Sequence, residues 1–84
     1  MTLEEKIDRL LKLQMLTFAS IQWVDARRMH EQLFDLAVES GDDVRADQLE
    51  SKIEVIHDNI KTICEKAEKI ETEVTNAANN SNGQ

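Results

Sequence analysis

Two histidines, His30 and His57, one cysteine, Cys64, and seventeen carboxylates are the groups through which this 84-residue chain could do chemistry. Zinc needs three or four such groups converging, at spacings such as CxxC, HxxxH or HExxH; none of these spacings occurs. A cysteine nucleophile needs a base beside it, and no histidine stands three or four residues from Cys64. There is no Gly-rich phosphate loop, no G-x-S-x-G elbow and no pair of E-x-x-H motifs for a di-metal bundle. The chain is therefore expected not to be an enzyme, and to hold no metal and no cofactor. A pocket between subunits could hold a small anion, for example near Arg27 and Arg28, but Asp25, Glu31 and Asp35 lie within helical reach of these arginines.

The carboxylates themselves carry the stronger signal. Ten basic against seventeen acidic residues give a net charge of −7, which argues against a direct footprint on DNA or RNA. Residues 25–58 hold ten of the acids and only four bases. Glu31, Asp35, Glu39, Asp42, Asp43, Asp47, Glu50, Glu54 and Asp58 form the candidate partner-binding face. Rows of carboxylates on stiff helices can imitate the phosphates of DNA and attract a basic protein; a plain solvating face is the alternative.

The elements that must position these groups are helices. No proline and only two glycines exclude a many-turned β fold. Thr2 and Glu5 match a capping box, so helix 1 is expected from about residue 3 to 39. Ser40–Asp43 is the one interior break, with Gly41 suited to end a helix and Asp42 or Asp43 to cap the next. Helix 2 is expected over about 44–77, and residues 78–84 as a disordered polar tail. The fold class is all-α: an antiparallel two-helix hairpin forming one domain over 1–77. Residues whose numbers sum to about 83 then face each other. His30 falls opposite Ile53 and His57 opposite Ala26, the two rings about a turn apart.

Helix 2 carries an unbroken heptad seam: Leu49, Ile53, Ile56, Ile60, Ile63, Ala67, Ile70 and Val74, spaced alternately by four and three. Helix 1 has no single stripe; its large apolar residues spread round most of the cylinder. One seam cannot cover them, so the hairpin is expected to dimerise into a four-helix bundle or coiled coil. Leu11, Met15, Phe18, Trp23, Met29, Leu33 and Phe34 are the candidate oligomer interface.

Residues Asp35 to Ile56, DLAVESGDDVRADQLESKIEVI, resemble the short helical hairpin at the end of the nucleotide-excision-repair helicase subunit and related clamp proteins. There an alanine precedes an acidic turn, and an alanine and a leucine precede a basic residue and an isoleucine. Ala37, Gly41, Asp42, Ala46, Leu49, Lys52 and Ile53 follow that order, while the aromatic–acid pair and the doubled alanine are missing. The likeness spans about a quarter of the chain and implies protein–protein contact.

The charged start does not read as a signal peptide. The most apolar stretch, Leu10 to Val24, has ten apolar residues of fifteen, short of the ~20 that cross a bilayer. One cysteine excludes an intrachain disulfide, and the expected location is a reducing cytoplasm. The expected partners are a second copy and a protein, a basic one by charge, with no membrane and no nucleic acid bound directly. The function expected is a small acidic oligomeric adaptor or inhibitor, in the style of phage or mobile-element regulators, that blocks a basic nucleic-acid-binding protein. The alternatives are a chaperone-like hairpin that shields a partner's apolar helix, and a nucleotide- or anion-sequestering protein with pockets at subunit junctions.

Overall fold

Thr2 opens the first helix. Its backbone is extended and its Oγ1 accepts from the Glu5 backbone N–H at 3.2 Å, satisfying one of the donors that a helix start leaves bare. In this computed structural model the backbone is described for residues 1–82 and the side chains for residues 1–78. Among the described residues two helices make up the fold, α1 over Leu3–Glu39 and α2 over Asp43–Asn82.

The turn between them is specified atom by atom. Gly41 takes φ +75°, the left-handed conformation. The Asp42 N–H donates to the Ala37 carbonyl at 2.9 Å and the Gly41 N–H to that of Val38 at 3.1 Å. This pair of bonds is a Schellman motif, closing the carbonyls that the end of α1 leaves open. Asp42 then caps α2: its Oδ1 accepts from the Arg45 N–H at 3.1 Å.

α2 begins at Asp43, within one residue of the expected start, with Asp42 as the cap. One expectation is corrected: α2 continues past Ala77 through Asn82, so the expected polar tail is helical over 78–82. The stretch holds no proline, and Gly83 is the first glycine after Gly41; a polar sequence without a breaker propagates a helix already formed. Gly83 and Gln84 lie outside the described residues.

The hairpin is a rod of 65 × 16 × 13 Å. On α2 all eight heptad residues are buried or half-buried. They meet a seam on α1 that apolar patterning does not reveal: Arg9, Leu13, Leu16, Ser20, Trp23, Arg27, His30, Phe34 and Ala37, spaced alternately by four and three. All are buried or half-buried except Trp23, which at 36% exposure stands at the edge. Leu13, Leu16 and Phe34 supply its apolar bulk, Ser20 and Ala37 are small, and the carbon stems of Arg9 and Arg27 fill in while their polar tips reach out to water.

The best-packed region is at the closed end. Ala37, Ala46 and Leu49 form a buried cluster with Phe34 packed on it. A three-residue connection holds the helices close there, and alanine permits that approach. Ile56 is buried further along. At the open end Arg9 Nε reaches Glu73 Oε2 at 3.1 Å and ties the two helices together.

Candidate functional site

The surface of α1 away from α2 is its most apolar part. Leu3, Ile7, Leu10, Leu11, Met15, Phe18, Ile21, Met29, Leu33 and Leu36 are all exposed; Met15 reaches 70%, and Phe18 and Met29 reach 61% each. Ile7, Phe18 and Met29 are eleven residues apart, and Leu11 and Leu33 twice eleven. Eleven residues make about three turns, so these side chains run nearly straight along the helix. The inner seam repeats every seven residues and winds slowly around it. The two patterns share one helix, and this is why the sequence shows no single stripe.

Of the expected interface residues, Leu11, Met15, Phe18, Met29 and Leu33 lie on this outer face. Phe34 does not: it is half-buried against Ala37, Ala46 and Leu49 and belongs to the hairpin's own core. Trp23 stands between the two surfaces. With Ala26, His30, Val55 and Ile56 it lines a shallow groove of about 420 Å³ along one flank of the hairpin.

All nine candidate acids are exposed. On α2, Asp43, Asp47, Glu50, Glu54 and Asp58 follow one another by three or four residues and share one side of the helix. Glu31 of α1 joins Glu54 and Asp58 around a second groove, with Arg27, Ile53 and His57. Asp42 is set apart by its capping bond, so its carboxylate is part of the turn.

The two histidines, expected near each other, line different grooves. His57 stands among the acids, while His30 stands beside Trp23 on the other flank. The His30 Nδ1 donates to the Ala26 carbonyl at 2.7 Å, which fixes the proton on that nitrogen because a carbonyl only accepts. Glu54 and His57 are three residues apart, yet among the described residues no three of His, Cys, Asp and Glu gather as a metal would require. Cys64 is exposed. Among the described residues no polar or charged residue is buried. Arg28 pairs with Asp25 at 3.3 Å and Arg27 approaches Glu31 at 3.9 Å, which leaves both guanidiniums engaged.

Sequence patterning missed one cluster. Arg9, Lys12, Lys66 and Lys69 come together near the open end with Ile70 and Glu73. Each basic residue is unremarkable along its own helix; only the hairpin register gathers them. Asp8 pairs with Lys12 at 3.1 Å and lies 3.6 Å from Arg9. Among the described residues Lys66 and Lys69 form no ion pair. The rod thus has an acidic closed end and a basic patch toward its open end.

No protein-family model matches the chain, and no curated protein or solved structure is significantly similar to it. The local likeness to the repair hairpin has a physical source in the turn: Ala37, Ala46 and Leu49 are the residues buried where two antiparallel helices close together. Among the described residues no helix is long and apolar enough to cross a membrane.

Proposed function

We propose that this chain is a non-enzymatic protein-binding module, an acidic adaptor or inhibitor that assembles through the outer face of α1 and offers its acidic closed end to a basic partner. One observation carries the reading: α1 turns Leu3, Ile7, Leu11, Met15, Phe18 and Met29 to water, while among the described residues Ala37, Ala46, Leu49 and Ile56 are the buried apolar ones. A compact chain of 9.6 kDa would expose about 5,100 Å², whereas this hairpin exposes 6477 Å². That excess is total surface and reflects the elongated shape; the apolar part of the signal is the row of exposed side chains from Leu3 to Leu36 on α1, and a contiguous apolar face of that kind marks an interface. The exposed acids around Glu31, Glu54 and Asp58 supply charge on a stiff support, which suits a nucleic-acid-binding surface rich in lysine and arginine.

The test is charge reversal that spares the fold. Asp47→Lys, Glu50→Lys and Glu54→Lys together leave the Asp42 cap and the seam intact. Capture of basic proteins from a host lysate should fall sharply with this variant, and capture by the unmodified chain should weaken as salt rises. Capture that ignores both the reversal and the salt contradicts the acidic-end reading. A second reading, a hairpin that shields a partner's apolar helix, is favoured by the apolar groove beside Trp23; it requires salt-insensitive binding that Trp23→Ala weakens.

A further inference from the structure

We infer that the outer face of α1 is covered by a second copy of this chain running antiparallel, about a two-fold axis that passes near residue 20. The inference rests on the self-association reading above and specifies its geometry.

The first support is the order of the exposed side chains. A two-fold contact is self-complementary: if residue i meets residue j, then j meets i. Reflected about residue 20, Ile7 falls on Leu33 and Leu11 on Met29, while Leu3 falls one residue from Leu36. Phe18 and Ile21 flank the axis. All of these are exposed on the single hairpin. The face therefore reads nearly the same from either end, which an antiparallel pair of identical helices requires. A parallel pair would set each of these residues against itself and would gain nothing from the reflection.

The second support is charge. Residues 25–58 carry ten acids and four bases, while the other fifty residues carry seven acids and six bases. Parallel packing would lay two strongly acidic closed ends side by side. Antiparallel packing sends them to opposite poles, each beside the near-neutral open end of the other copy, where Arg9, Lys12, Lys66 and Lys69 gather. The rod is 65 Å long and the screening length in physiological salt is about 8 Å, so the closed ends no longer feel each other.

The third support is area. The hairpin exposes about 1,400 Å² more than a compact chain of its mass. A stable interface removes about 800 Å² from each partner, and one side of α1 can supply that.

Cross-linking in a Cys64→Ser background tests the arrangement. Chains carrying Ile7→Cys are mixed with differently tagged chains carrying Leu33→Cys under oxidising conditions. The antiparallel pair predicts about tenfold more mixed disulfide than either self-linked product. A second measurement leaves the interface untouched: a spin label on Asp47→Cys, exposed at the closed end. Asp47 stands opposite Leu36, sixteen residues from the axis, so the two labels should lie about 48 Å apart along the rod. Self-linked products, with labels only a rod's width or two apart, would show a parallel pair. That outcome overturns this inference and leaves self-association standing. A dimer with neither link, its labels at some other separation, places the second copy on a different surface and likewise overturns the inference alone. Single chains in sedimentation overturn both readings.

Discussion

Asp42 closes the turn twice, through its backbone N–H to Ala37 and its carboxylate to Arg45. Only the second bond depends on the side chain. Asp42→Ala should therefore lower the unfolding free energy by about 1 kcal/mol, the usual worth of an N-cap, read from urea melts at fixed protein concentration. Gly41→Ala should lose about 1–2 kcal/mol for a different reason. A Cβ there meets nothing within 4 Å, so the penalty is the left-handed backbone alone. Asp47→Ala, exposed and outside the cap, should shift the melt by less than about 0.5 kcal/mol. Sequence spacing placed these roles well, because caps and turns are local chemistry. It could not choose between Asp42 and Asp43 as the cap, since both types fit and only the φ/ψ path of the chain decides.

At the scale of the element, α1 serves two surfaces and α2 serves one. The seam of α2 was legible because Leu49 to Val74 repeat every seven residues with isoleucine at most positions. The inner seam of α1 was hidden because it runs through Arg9, Ser20, Arg27 and His30, whose polarity masks the repeat. Phe34 is hard to place from sequence for the same reason: without that seam, nothing distinguishes an inward phenylalanine from an outward one. The end of α2 runs past its expected boundary because a polar stretch with no breaker can continue a helix already formed. The two surfaces separate under mutation. Leu49→Ala, within the buried cluster, should destabilise the hairpin by about 2–5 kcal/mol. Leu11→Glu with Met29→Glu changes only exposed positions of the single chain. It should weaken self-association at least about tenfold, in the manner of charge placed at the centre of an interface. Equilibrium sedimentation reads the second effect and chemical denaturation the first.

At the scale of the whole molecule, the hairpin is a polar rod with a thin core. A chain of 84 residues folded compactly would have a radius of gyration of about 12 Å; this one has 18.8 Å. Length without thickness leaves few places to hide apolar surface. If the proposed self-association contributes to folding, the melting temperature should rise with protein concentration, as for a dimer linked to its folding; calorimetry over a wide concentration range reads this. The acidic closed end and the basic patch toward the open end belong to this scale too. Charge counts along the sequence showed the first. The second needed the register of the hairpin, which brings Arg9 and Lys12 beside Lys66 and Lys69.

Sedimentation equilibrium at micromolar concentration bears most directly on the claim that the outer face of α1 is covered. A self-associating hairpin should sediment at about twice the 9.6 kDa of the chain. A helical, cooperatively melting species at the mass of one chain would contradict that claim.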